Sequence, residues 1–219
     1  MSVLESRLDH LVMVTAKLEE GVDLCEKTFG VKMVKGGEHV RVGTHNYLLA
    51  LDDGIYLEVI AINPNAGPLN CPRWFGMDIP EQRARAAGRP FLATFVARTG
   101  NIARAVQAYP GLGPVRDMQR GTLEWQITIP DDGGLQEGGT MPTVIQWPEG
   151  VHPTQKLPAS GCRLERLEAF HPQPSRLRES WLSIGLQENE RLSIREASNG
   201  DEPFLVARIA TPKGVVTLR

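Results

Sequence analysis

What this chain lacks narrows the field first. No apolar run approaches the roughly 20 residues that span a bilayer, and the opening Met1-Ser2-Val3-Leu4-Glu5-Ser6 has no apolar signal core. Charge of one sign is not in excess: 24 basic against 26 acidic residues leave a net −2. There is therefore no global electrostatic case for binding nucleic acid or an anionic membrane. Cysteine is scarce. Cys25, Cys71 and Cys162 are odd in number and widely spaced, which is neither a disulfide framework nor a close-set zinc motif. They are expected to be reduced thiols of a cytoplasmic protein. Abundant instead are glycine (22) and proline (16) among 219 residues, a composition for many turns and short strands. The length allows one large domain or two small ones.

Hydrophobic patterning gives the element order. Residues 8–14 read as a strand. Thr15 looks like an N-cap, followed by Leu18, Val22, Leu24, Cys25 and Phe29 at helical spacing and by Gly30 as the stop. A short strand at 31–34, a turn through Gly43-Thr44-His45-Asn46, a strand at 47–51, a hairpin signal at Asp52-Asp53-Gly54 and a strand at 55–62 follow. The proline-rich connection 63–89 carries Trp74-Phe75 and a short helix starting at Pro80. The order then repeats, with a strand at 91–98, a helix capped by Thr99, and strands at 114–118, 122–129 and 142–147. After a second linker, a strand at 163–170, a helix at 174–184 and strands at 192–196, 204–210 and 215–218 make a looser copy. Internal repeats set the fold. It is α+β, with repeated βαβββ modules forming a half-open barrel-like cleft and a third, degenerate module. Residues 1–150 are expected to hold the paired modules (7–62 and 90–147, joined by 63–89), and residues 160–219 the third.

Superimposing the copies matches His10 with Thr94 and Arg166, and Glu58 with Gln146 and Leu218. Strand alternation puts Tyr56, Glu58 and Ile60 on one face, and Glu124, Gln126 and Thr128 on one face. Polar residues at matched inward positions are costly in a plain core. They suit a hydrated or ligand-filled cleft.

The segments LDHLVMVT, GTHNYLLAL and GIYLEVIAI, with the connectors PRWFGMDIP, RGTLEWQITIP and PTVIQWPEGVHP, resemble the glyoxalase-like branch of the vicinal oxygen chelate superfamily. The resemblance covers residues 7–172 and extends more loosely into the tail. It implies paired βαβββ modules around a cleft that commonly holds a divalent metal, which chelates a substrate through adjacent oxygens and acts as a Lewis acid. Carried over by position, His10 is the first-strand ligand, Glu58 the last-strand ligand, and Thr94 and Gln146 their counterparts in the second module. Thr94 is a poor ligand and Gln146 offers only a neutral carbonyl. The set therefore departs from the four-ligand glyoxalase pattern, and it lacks the second His of a non-haem iron triad unless His45 or His152 swings in.

Two readings of function stand. In one, a metal-dependent lyase, isomerase or dioxygenase-like enzyme binds Zn, Ni, Mn or Fe through His10, Glu58 and Gln146, and Glu58 or a metal-bound hydroxide moves the proton. In the other, the same cleft binds a small molecule without metal, for sequestration or sensing. Without a metal, burial would raise the pKa of Glu58 and suit it to general-base work beside His10. A structural or regulatory protein would need a cleft closed by side chains. Substrate contacts are expected from Gln146, His45, Glu124, Gln126, Thr94, Trp74 and Arg120. The plainer alternatives are a solvent-facing strand for Glu124 and Gln126, turn geometry for His45, core packing for Trp74 with Phe75, and a surface ion pair for Arg120. His39 reads as ordinary loop, and His152 and His171 as loop and helix-entry features. No nucleotide cofactor, nucleic acid or membrane partner is expected. An odd number of modules leaves a sheet edge to be covered, by the barrel of the first two or by a second subunit in a homodimer.

Overall fold

Two stretches of the chain follow the same path. The first runs through β1 (Ser6–Val14), α1 (Leu18–Phe29), β2 (Val34–His39), β3 (Thr44–Ala50) and β4 (Tyr56–Ile62). After α2 (Pro80–Gly88), the second runs through β5 (Phe91–Thr99), α3 (Ile102–Ala108), β6 (Val115–Arg120), β7 (Leu123–Thr128) and β8 (Thr143–Gln146). The computed structural model describes residues 3–52 and 54–219; Met1, Ser2 and the centre of the expected Asp52-Asp53-Gly54 hairpin lie outside them. In each stretch the first strand lies parallel to the last, β1 with β4 and β5 with β8, and the remaining pairs are antiparallel. β1 and β5 pair antiparallel. Eight strands therefore form one sheet in the order β2-β3-β4-β1-β5-β8-β7-β6. Its edges almost meet: Arg41 Nη1 donates to the Asp117 carbonyl at 2.8 Å and Arg120 Nη1 to Asn46 Oδ1 at 3.2 Å. The result is a nearly closed barrel of two βαβββ modules.

Alternation along the strands sorts the apolar side chains into two layers. Leu11, Met13, Leu57, Val59 and Phe95 face outward, where Leu18, Val22, Cys25 and Phe29 of α1 pack with them. Val12, Ile60, Val96, Trp125, Ile127 and Ile145 face inward. Full burial of one such side chain stabilises by about 1.5–3 kcal/mol, so either layer fixes the phase of its strands.

Local details depart from the sequence pattern where tertiary contacts win. Lys17 occupies the N-cap position of α1, and Thr15 donates instead to the Lys17 carbonyl at 3.0 Å. Gly30, at φ 77°, ends α1 as expected, while Leu24 points to solvent. Asn101, not Thr99, caps α3 by accepting from Arg104 N at 3.0 Å; Thr99 donates to the Glu5 carbonyl at 2.8 Å. β2 begins where the sequence suggested it should end. Gly36 and Gly37 lie within it because the side chains of Asn46 and Arg120 cross the strand there, in space a Cβ would fill.

The third stretch, β9 (Arg163–His171), α4 (Pro174–Ser183), β10 (Leu192–Glu196), β11 (Phe204–Thr211) and β12 (Gly214–Leu218), repeats the element order with different wiring. Its sheet is ordered β10-β9-β11-β12, with β9 parallel to β10, the strand directly after the helix. Leu164, Leu167, Leu205 and Ile209 join the outer core of the barrel. Trp181 meets Phe95 edge-on at 5.5 Å and donates from Nε1 to the Thr140 carbonyl at 3.1 Å. This unit's apolar face is thus covered within the chain. Among the described residues, no helix is long and apolar enough to cross a membrane, and Cys25, Cys71 and Cys162 are unpaired.

Candidate functional site

A bulge in β1 starts the site. Leu8 and His10 face the consecutive residues Ala97 and Val96, so Asp9 is the extra residue. In a regular strand neighbours point to opposite faces; a bulge re-aims them. Here Asp9 Oδ1 accepts from His10 Nδ1 at 2.7 Å, with both side chains buried. Hydrogen bonds to Asp9 Oδ2 come from Arg98 Nη1 at 3.3 Å, Trp147 Nε1 at 3.1 Å and His152 Nε2 at 3.0 Å. On the far side of the imidazole, His10 Nε2 stands 3.6 Å from Glu58 Oε2. Glu58 Oε1 accepts from the Asn46 amide, and Asn46 Oδ1 accepts from Arg120. Side chains from β1, β3, β4, β5, β6 and the segment after β8 therefore form one polar chain across the barrel. Tyr56 stacks on His10 at 4.4 Å.

Burial opposes the charges of Asp9, His10 and Glu58, and their partners overcome it. Burial would raise the Asp9 carboxyl, but His10 and His152 hold it well below the usual carboxylate range. At His10, burial pulls the imidazole down, and Asp9 with Glu58 pushes it above its ordinary value. At Glu58, burial is outweighed by His10, His39 and Asn46, and the carboxyl falls to about 2. This is opposite to the rise expected from burial alone, because the imidazolium beside Glu58 outweighs burial. His39 behaves oppositely: burial dominates and lowers it to about 4. His39 is no ordinary loop residue. It ends β2 inside the cleft, bonds Thr44 Oγ1 through Nδ1 at 3.0 Å, and meets the rings of Trp74 and Trp125 at 4.8 and 6.0 Å.

Of the residues singled out from sequence, His10, Glu58 and Arg120 come together. Thr94 faces the cleft, but its hydroxyl donates to the Gly139 carbonyl at 2.9 Å. Gln146 points to the opposite side of the sheet, where Oε1 accepts from Ile102 N at the start of α3 at 2.8 Å; Ile145 takes the inward place. The strand is only four residues long, and a one-residue slip in phase exchanges its faces. Glu124 and Gln126 share that outer face, with Gln126 donating to Asp117 Oδ1 at 3.0 Å, while Trp125 and Ile127 point inward. His45 is half-buried on the side of β3 opposite Asn46. Trp74 is buried inside, stacked on Phe75 at 5.0 Å. Asp9 and Asn46 carry no role in the sequence reading; His39 is read there as loop, and His152 as a loop feature that could swing in, which here reaches Asp9. The one available signal was Asp9 itself, an acid beside His10 in an otherwise apolar strand.

The connection between the modules lies against the inner face. Trp74, Phe75 and Met77, 3–4% exposed, pack among Val12, Ile60, Phe91 and Ile127. Two open grooves are present, the first at the seam where the barrel edges approach, reached by Glu38 and Arg41 from one edge and by Met118 and Trp125 of the inner face from the other. One of 930 Å³ runs along Trp125, Trp147, Glu124, Gln126 and Gln146, and one of 890 Å³ along Arg7, Arg98, Asn101 and His152; neither is lined by His10 or Glu58.

The glyoxalase-like domain family matches residues 8–185. The chain belongs to the glyoxalase-like family. That family lies in the vicinal oxygen chelate superfamily, in which divalent metals are common. Among solved structures, a hypothetical protein from Staphylococcus aureus is similar over 98% of both chains at 15% identity, with a TM-score of 0.63. A methylmalonyl-CoA epimerase in complex with methylmalonyl-CoA and NH4+ is 17% identical, with 68% of this chain and 99% of that one covered and a TM-score of 0.44. No curated protein matches the chain. The side chains present do not fit the family's metal. A structural or catalytic divalent site needs three or more converging protein ligands. Here His10 and Glu58 converge, but Thr94 and Gln146 are committed to backbone groups elsewhere. Among the described residues no group of three His, Cys, Asp or Glu side chains could hold a metal ion.

Proposed function

We propose that this glyoxalase-like protein acts on a small carbonyl compound with adjacent oxygens by proton transfer between its own side chains. The observation that carries this reading is the His10 imidazole held between two buried carboxylates, with Nε2 3.6 Å from Glu58 Oε2. A substrate carbonyl that displaces Glu58 Oε2 from the imidazole accepts from His10 Nε2–H. Glu58 then loses its counter-charge, and burial raises its basicity. Its Oε2 takes the proton from the carbon beside the carbonyl, the C–H pair moves into the carbonyl, and the oxygen receives the His10 proton, giving a neutral enediol. Reversal returns a proton to carbon. Asp9 keeps the Nδ1 proton in place throughout, so Nε2 is the atom that cycles. In the favoured state each buried carboxylate faces a cationic or hydrogen-bonding partner, Asp9 with His10 and Arg98 and Glu58 with His10 and Asn46, which lets the charged pair exist in an apolar cleft.

The test is incorporation of solvent deuterium into hydroxyacetone, followed by proton NMR in the presence of EDTA. General acid–base catalysis is worth about 10²–10⁴-fold, so Glu58→Gln should slow exchange by about 100-fold or more. Exchange that disappears with EDTA and returns with Zn, Ni, Mn or Fe would establish the metal route instead. The commitment of Thr94 and Gln146 to backbone groups supports a second reading, a metal-free binding protein for sequestration or sensing. Ligand binding without any exchange would establish that one.

A further inference from the structure

The segment over the inner cleft has features that permanent packing does not need. Trp74 and Phe75 are stacked with an interplanar angle of 21° and buried among the inner apolar side chains. Phe75 sits at φ 57° and Gly76 at 67°. The left-handed region is natural for glycine and a strained outlier for a bulky residue. The buried Trp74 Nε1, Arg73 Nε and Trp125 Nε1 have no hydrogen-bond partner, whereas settled cores pair such groups. The segment is also tied mostly to itself. Asp78 accepts from Arg73 N at 2.8 Å and from Arg73 Nη1 at 2.7 Å, and Met77 N donates to the Trp74 carbonyl at 3.2 Å. A link to the barrel runs from Gly76 N to the Gly133 carbonyl at 2.8 Å. Gly133 packs so closely on the Arg73 carbonyl that a Cβ there would overlap it.

We propose that the Trp74–Phe75 strap holds the place of the ligand, so that the cleft is self-closed until a compound bearing a flat aromatic ring beside its oxygens displaces the strap. Only an apolar, flat group regains the contacts that the inner walls lose when two stacked rings withdraw. Its oxygens supply acceptors for Trp125 Nε1, which stays on the barrel wall, and for His10, while Trp74 Nε1 and Arg73 Nε reach water with the withdrawn strap. This inference rests on the proton-transfer reading for what the oxygens meet, and on the strap alone for the ring.

The experiment titrates benzoylformate, and glyoxylate as the same oxygens without the ring, onto the full chain and Trp74→Ala, with hydrogen exchange followed at the amides of Gly76 and Met77. Benzoylformate is expected to bind, to deprotect both amides, and to bind Trp74→Ala at least tenfold tighter, while glyoxylate shows no such gain. If Trp74→Ala does not fold, Gly133→Ala, which pushes on the Arg73 carbonyl, should give the same tightening. Benzoylformate that fails to bind, or binds with both amides still protected and no tightening in the variant, overturns the strap. Hydroxyacetone exchange unaffected by Glu58→Gln, alongside a tightened Trp74→Ala, overturns the proton-transfer reading and leaves the strap standing.

Discussion

The two βαβββ modules of the barrel share a path and differ in lining. The inner face of the first carries His10, Tyr56, Glu58, Asn46 and His39; that of the second carries Met118, Trp125, Ile127 and Ile145, with Thr94 as its polar member. The contrast has a physical cause. A buried polar group is tolerable when every member of its network has a partner. The first module meets this with a chain of side chains that is completed by Arg98, Arg120, Trp147 and His152 from beyond it. The second meets it locally, one hydroxyl to one carbonyl. A duplicated scaffold can thus place its acid–base pair in one half and use the other for an apolar wall and for the arginines that complete the network.

The sharpest way to break this contrast is at its hub. Asp9→Asn leaves the imidazolium and Arg98 without their buried carboxylate, and removing one partner from a buried ion pair costs about 3–5 kcal/mol. Urea unfolding at constant slope measures it. A loss no larger than that from a single neutral hydrogen bond would show the two linings to be energetically alike.

Acid should separate the modules next. His39 is neutral in the folded protein down to about pH 4, while an unfolded His takes a proton near 6.5. Its contribution is intact above 6.5 and is lost as pH falls through 4, on the order of 3 kcal/mol at 1.36 kcal/mol per pKa unit. Glu58, lowered to about 2 from 4.5, loses its contribution below that, between those two values. His10 is raised, so its contribution is present in acid and lost as pH rises through its folded value. His39→Gln, which keeps a partner for Thr44, should flatten the decline between pH 6.5 and 4. An unchanged decline would place acid sensitivity outside the first module.

What could be read from sequence followed the same division. β1 and β4 are apolar runs broken by one or two polar residues, so strand phase exposed His10 and Glu58 directly. Asp9 stayed hidden because its aim depends on a bulge, and bulges leave no period-2 signature. Asn46 and Arg120 join only when the edges of the barrel approach, a contact between residues 74 positions apart. His39 was masked by Gly36-Gly37, which reads as a loop until the side chain lying across it is known. The repeated element order predicted three similar units, yet the third pairs β9 with β10 rather than with its last strand. Order along the chain does not determine neighbours in a sheet.

Smaller effects test the second module from both of its faces. Thr94→Val strands the Gly139 carbonyl and should cost about 1 kcal/mol, with hydroxyacetone exchange nearly unchanged if that half is only a wall. Gln146→Leu removes the acceptor for Ile102 N at the start of α3. Losing a cap of this kind costs about 0.5–1 kcal/mol, read as a small fall in the urea midpoint. Because Ile145 and not Gln146 faces inward, the exchange rate and its insensitivity to EDTA should stay as in the parent. A large loss of exchange in Gln146→Leu, restored by added metal, would mean that β8 turns over in the working protein and that the two modules share the chemistry after all.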